Sequence, residues 1–144
     1  MDAKNSGEQT PLMAAARANH PEAMRMLVAA GADPRYRTST GTTLLISAAA
    51  SGRLEAIKYA YELDSDVKAV QKNGQTALHA AVQTQKAAAA VQFLADKGAD
   101  LTAVDSKGET ALDIAIDDGA RTDSQDLLIK LMRAQGIEPH RVKP

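Results

Sequence analysis

Apolar and polar positions recur along this chain with one long period. A Thr-x-Leu-x-x-Ala core stands at Thr10-Pro11-Leu12-Met13-Ala14-Ala15, Thr43-Leu44-Leu45-Ile46-Ser47-Ala48, Thr76-Ala77-Leu78-His79-Ala80-Ala81 and Thr110-Ala111-Leu112-Asp113-Ile114-Ala115, with the threonines 33, 33 and 34 residues apart. Each core leads into a second stretch whose apolar residues keep the i, i+3, i+4 spacing of one helix face. A unit of this length is a helix pair that cannot bury its apolar face alone and must stack on its neighbours. The pattern predicts an all-α solenoid of four stacked helix-turn-helix units, at about residues 8–34, 41–67, 74–101 and 108–136, with a polar stub at 1–7 and a tail at 137–144.

Local signals set the boundaries. Thr10 can cap a free backbone N–H, and Pro11 at the first helical position gives up a donor that has no partner there. Leu12, Ala15 and Ala16 form the inner face, and small alanines let paired helices approach closely. Asn19-His20-Pro21 turns the chain into a second helix over residues 22–30, with Met24, Leu27 and Val28 expected in the core. Gly31 suits the left-handed end of that helix, and residues 32–42 follow as a long projecting turn. The second unit places Leu45 and Ala48 inside, Gly52 at its turn, and Ile57, Tyr59, Ala60 and Tyr61 on its second helix. It ends in Asp64-Ser65-Asp66, where aspartate tolerates a left-handed backbone less well than glycine, so a local weak point is expected. The third unit is one residue longer in its middle. Ala87 to Ala90 read as a helix start and not as a linker, because alanine has the highest helix propensity. Val91, Phe93 and Leu94 then resume the core. The fourth unit carries Asp113, Asp117 and Asp118 on its first helix and a longer turn at residues 119–123. Asp123 or Ser124 caps the helix bearing Leu127, Leu128, Leu131 and Met132, which Gly136 ends.

The two ends of the stack differ. The acidic fourth unit has the polar character a terminal repeat needs, whereas the first is as apolar as an interior one. The N-terminal face is therefore expected to meet preceding repeats, a partner, a second copy of the chain, or residues 1–9 folded back over it.

Composition narrows the function classes. Lys and Arg number 17 against 18 Asp and Glu, and the resulting charge of -1 gives no bulk attraction to nucleic acid or an anionic membrane. With no cysteine, there is no disulfide framework, thiolate nucleophile or cysteine metal site. No apolar run approaches the roughly 18 residues that span a bilayer. A soluble chain is expected, cytoplasmic, or periplasmic or exported where an upstream signal has been removed. Aromatic residues make up 3% and tryptophan is absent, which suits thin Ala/Leu helices and argues against base-stacking platforms.

These units resemble the ankyrin repeat family, whose pattern runs Gly-x-Thr-Pro-Leu-His-x-Ala-Ala, a second helix, then Gly-Ala-Asp. Gly74-Gln75-Thr76-Ala77-Leu78-His79-Ala80-Ala81 and Gly98-Ala99-Asp100 carry the likeness most fully, and it extends over nearly the whole chain. The resemblance implies an ankyrin-repeat solenoid with projecting β-hairpin-like finger loops. It gives His79 a structural role in the turn network and matches His20 to the histidine of the family's Gly-His turn. The asparagine that the family presents for hydroxylation is replaced by Arg35, Lys68 and Thr102, and its loss is expected to loosen the fingers.

Catalytic signatures are absent from the sequence: there is no phosphate loop with its lysine, no His-Glu-x-x-His and no Gly-x-Ser-x-Gly. Asp113 and Asp117 lie one helical turn apart and, with Asp118, form the one acidic group worth testing as a cation or acid/base site; the expected reading is a solvated cap. No catalytic residue, metal or cofactor is expected. The resemblance implies a non-catalytic protein-protein interaction module binding a protein partner, not nucleic acid or membrane, through a concave surface of finger tips and first-helix ends. The alternative is the C-terminal regulatory or targeting module of a larger enzyme. By matched position the expected contacts are Arg17, Tyr36, Arg37, Thr40, Thr42, Lys72, Asn73, Gln75, Lys107, Glu109, Asp117 and Asp118, with Val70, Val104, Ser106, Gln83 and Thr84 in the same rows. Positive residues cluster toward the first half and Glu109, Asp117 and Asp118 toward the last, a polarity that would steer a complementary partner into register. The expected assembly is a monomer, or weak self-association through the N-terminal face.

Overall fold

The computed structural model describes residues 9–84, 87–117 and 123–139, the side chain of Asp117 excepted. Eight helices lie among them, in pairs: α1 (Pro11–Arg17) with α2 (Pro21–Ala29), α3 (Leu44–Ala49) with α4 (Leu54–Leu63), α5 (Ala77–Val82) with α6 (Ala88–Asp96), and α7 (Ala111–Asp117) with α8 (Asp123–Ala134). The first helix of each pair has only six or seven residues. Helices below about 12 residues are marginal in water, so caps and packing must hold them. The Thr10 hydroxyl accepts from the Met13 N–H at 3.3 Å, Thr43 from Ile46 at 3.2 Å, Thr76 from His79 at 3.5 Å and Thr110 from Asp113 at 3.1 Å.

Packing runs from neighbour to neighbour. Helix α1 touches α2 and α3, α3 touches α4 and α5, α5 touches α6 and α7, and α7 touches α8, while the outer helices meet through α4 on α6 and α6 on α8. Leu12, Leu45, Leu78 and Leu112 repeat the same inward position, and all four are fully buried in one continuous core. On the outer helices Tyr61 meets Phe93 edge-on, with centroids 5.6 Å apart, and the Lys97 ammonium lies over both rings. Tyr59 is covered by the Arg25 guanidinium.

Three expectations need correction. The first concerns α4: Asp64 ends it with φ -147 and ψ 103, an extended backbone, whereas Gly31 and Gly98 end α2 and α6 nearby in left-handed territory at φ 101 and 96. The strain expected at Asp64 is therefore absent, and its carboxylate accepts from the Asp66 N–H. The second concerns α2, where Met24 is buried but Leu27 and Val28 are only partly so. Ala23 and Leu27 correspond in register to Ala56 and Ala60 of α4 and to Ala90 and Leu94 of α6, all at 0% exposure because a preceding unit covers them. On α2 the same stripe, Ala23, Met26, Leu27 and Ala30, lines an apolar depression of about 380 Å³, with Met26 73% exposed. Residues 1–8, expected as one possible cover, lie outside the described residues.

The third concerns the expected looseness of the fingers, which are hairpin-like turns with no strand among the described residues. Each is one turn, closed from the Gly41, Gly74 and Gly108 N–H to the Thr38, Gln71 and Asp105 carbonyls at 2.9, 2.8 and 2.9 Å, with one further bond across its base, Thr38 to Thr42, Gln71 to Gln75 and Asp105 to Glu109. Single bonds join neighbours: Lys72 N–H to the Thr40 carbonyl and Ser106 N–H to the Asn73 carbonyl, both at 2.8 Å. That is too sparse for a ladder, yet the fingers are not loose. A Cβ on Gly74 would stand 2.8 Å from the Asp105 Cα. In place of the missing asparagine, the carboxylates of Asp33, Asp66 and Asp100 accept from the N–H of Arg35, Lys68 and Thr102 two residues on.

Candidate functional site

The fingers and the first helices enclose a groove of about 390 Å³. Its finger wall is Thr42, Gln71 and Gln75; its helix wall is Ile46, Ser47 and Ala50 of the second unit with Ala80, Gln83 and Thr84 of the third; Gln9 and Arg17 close it toward the first unit. The caps explain why these side chains converge. The threonine cap fixes where each first helix starts, and the tight finger turn delivers Thr42 and Gln75 immediately before the caps Thr43 and Thr76. Hydrogen bonds order the walls: the Thr42 hydroxyl donates to Gln71 Oε1 at 3.2 Å, and Gln83 Nε2 donates to Gln75 Oε1 at 3.3 Å and to the His79 carbonyl at 3.2 Å.

Of the expected contact residues, Arg17, Thr42 and Gln75 meet in this groove. Thr40 is exposed at its finger tip, its hydroxyl 2.9 Å from that of Thr38. Lys72 and Lys107 are exposed, and neither makes an ion pair among the described residues. Asn73 is exposed but accepts the Gln75 N–H at 3.0 Å, so its side-chain oxygen serves the turn. Arg37 is held within the protein: its guanidinium lies 3.2 Å from Asp66 and 4.0 Å from Asp64. Tyr36 is half-buried and packs against the core. Val70 and Val104 occupy the register of Arg37 on the next two fingers and stand 56% and 49% exposed.

Glu109 is buried at 8% exposure and not at the surface where a contact residue should be. Its N–H donates to Asp105 Oδ1 at 2.9 Å and its carbonyl lies 3.0 Å from His79 Nε2. The His79 Nδ1 accepts the Thr76 N–H at 3.2 Å, so the ring's own N–H is on Nε2 and donates to Glu109. His79 thus completes a capping box and ties α5 to the next finger. His20, by contrast, is exposed and makes no side-chain cap, while Asn19 takes the left-handed turn position at φ 56.

The acidic group dissolves in the same way. Asp113 is fully buried, and its carboxylate accepts the Thr110 N–H at 3.0 Å, the same reciprocal cap in aspartate form. Asp113 is therefore not part of a solvated face. The Asp117 side chain and Asp118 lie outside the described residues. Two other carboxyls sit below the usual carboxylate range. Asp100 is lowered first by the Thr102 hydroxyl and then by the Thr102 N–H. Burial alone would raise Asp105, but the N–H groups of Glu109 and Lys107 and the Gln75 side chain outweigh it.

Matched positions alone did not single out Ser47 and Gln71. Gln71 shares the register of Thr38 and Asp105 at the finger base. Ser47 is a lone hydroxyl at a position occupied by Ala14, Ala80 and Ile114 in the other units. Its Oγ is buried with no hydrogen-bond partner, one of two such side-chain atoms among the described residues.

Among the described residues no helix is long and apolar enough to cross a membrane. A family model describing ankyrin repeats in three copies matches the chain twice, over residues 1–71 and 60–142. Proteins built from these repeats are generally protein-protein interaction modules and typically non-catalytic. With the 33-residue period, the threonine caps, the buried histidine box and the stacked finger turns agreeing with that match, this chain belongs to the ankyrin repeat family.

Proposed function

We propose that the chain is a non-catalytic module that captures a protein partner through the surface formed by its fingers and first helices. The groove carries this reading. It runs across three units, its walls offer amide and hydroxyl groups of both hydrogen-bonding senses, and exposed Lys72 and Lys107 flank its fingers. Rigid neighbour-to-neighbour packing presents these groups without an ordering cost on binding. The test is affinity capture from a native extract, with the chain and an Arg17→Glu, Lys72→Glu, Lys107→Glu variant as parallel baits. Proteins lost only with the variant are the expected result. Identical capture by both baits would move the contact elsewhere.

The open stripe of α2 supports a second reading, in which that face joins a larger assembly, either as a targeting module of an enzyme or through weak self-association. A Met26→Glu variant compared with the parent by sedimentation separates the two surfaces. A concentration-dependent shift abolished by the substitution favours the second reading.

A further inference from the structure

Within that protein-binding reading, on which this step rests, we infer that the groove takes a single extended peptide segment and that a carboxylate on the segment is held by Arg17. Among the described residues that line the groove Arg17 carries the only formal charge, and it makes no ion pair with another of them. Among the described residues no carboxylate lines the groove. A guanidinium in such surroundings is matched by a carboxylate, which it binds through two parallel N–H donors.

The rest of the lining suits peptide backbone. An extended segment leaving water must find partners for both its N–H and C=O groups. Gln71 has Oε1 engaged by Thr42 while its NH2 makes no bond among the described residues, so it offers donors. Gln83 has its NH2 engaged by Gln75 and the His79 carbonyl, so it offers Oε1 as acceptor. Ser47 also lines the floor, but its Oγ is buried and contributes no bond to a ligand. At about 390 Å³ the groove has room for a short stretch of extended chain.

The carboxylate has two sources, an internal Asp or Glu or a free chain terminus, and the test separates them. A displayed library of random eight-residue linear peptides is panned on the chain. Recovered sequences are synthesised with each acidic residue as its amide and with the C-terminus free or amidated, and affinities are read by calorimetry. The expected result is enrichment of acidic residues or free termini, with about tenfold weaker binding when the carboxylate becomes an amide. Arg17→Gln should remove that preference and leave the amide peptides nearly unchanged. Recovered peptides without carboxylate preference, or an Arg17→Gln variant that keeps it, overturn the assignment. Recovery of no peptide, with native capture still sensitive to the triple reversal, also overturns it and leaves the protein-binding reading intact. Insensitivity of capture to that reversal would take the broader reading down separately.

Discussion

Helices α3 and α5 are the same element one unit apart, yet they handle polarity in opposite ways. Both start at a threonine cap and bury a leucine, Leu45 in one and Leu78 in the other. At the next position α3 has Ile46 and α5 has His79. One position further α3 has Ser47 and α5 has Ala80. In α5 the polar group turns inward and is satisfied twice, by the Thr76 N–H and the Glu109 carbonyl. In α3 the polar group is buried and finds no partner among the described residues. A buried polar side chain with its partners in place holds the fold together, and one without them is a cost that the fold carries.

The largest effect tests the half of the comparison that is the same. Leu78→Ala and Leu45→Ala should each cost about 2–5 kcal/mol, because each leaves a cavity at an interface between units. Urea unfolding measures the total, and amide exchange shows whether the loss spreads to both neighbouring units, as nearest-neighbour coupling requires. A negligible loss for either leucine would break the register on which the comparison depends.

His79 separates the two helices next. His79→Ala should cost about 2–4 kcal/mol, since it strands the buried Thr76 N–H and empties the ring's volume. His79→Gln should recover part of this, because glutamine at the third helical position can return a bond to the cap residue. It should not recover the link to Glu109. Amide exchange at the Gly108 turn would then stay faster than in the parent, and restoration there would show that the bridge to the next finger is dispensable.

Much of this was legible in the sequence, and the limits have physical causes. The period, the caps and the leucine core follow from residue identity because each satisfies a local rule. The end of α4 did not: Asp64 escaped left-handed strain by taking an extended backbone and accepting the Asp66 N–H, with Arg37 of the preceding finger beside both carboxylates. Matched position placed Glu109 and Asp113 on exposed faces because it carries no record of which way a side chain turns. Glu109 is tied to the preceding unit through its carbonyl on the His79 ring, and Asp113 turns in to cap its own helix through the Thr110 N–H. Arg17, Thr42 and Gln75, taken from matched position, line the groove. Ser47 was not singled out, since a serine among alanines looks unremarkable until its partners are sought and found missing.

Acid should weaken the third finger in a predictable direction. Asp105 and Asp100 titrate below the ordinary 3.8 in the folded chain. A carboxyl depressed by folding adds stability above its unfolded pKa, and that stability is lost as pH falls through the folded value. Stability should therefore decline below about pH 4 on account of these groups. Asp105→Asn should flatten that part of the curve, while lowering stability at neutral pH because an amide is a weaker acceptor for the Lys107 and Glu109 N–H groups. An unchanged acid limb in melts from pH 2 to 7 would remove Asp105 from the finger's support.

The smallest effect returns to α3 and α5 by exchanging their odd residues. Ser47→Ala removes a buried hydroxyl that has no partner, so stability should rise by up to about 1 kcal/mol. Ala80→Ser places a hydroxyl at the matching position of α5, which is half-buried and not fully enclosed. There it can reach water, and the change should stay within about 0.5 kcal/mol of zero. Opposite or equal shifts in the two variants, read by urea unfolding, would mean that the enclosure of Ser47 is not what distinguishes the helices. A stabilised Ser47→Ala beside a neutral Ala80→Ser would identify the serine as a group the fold does better without.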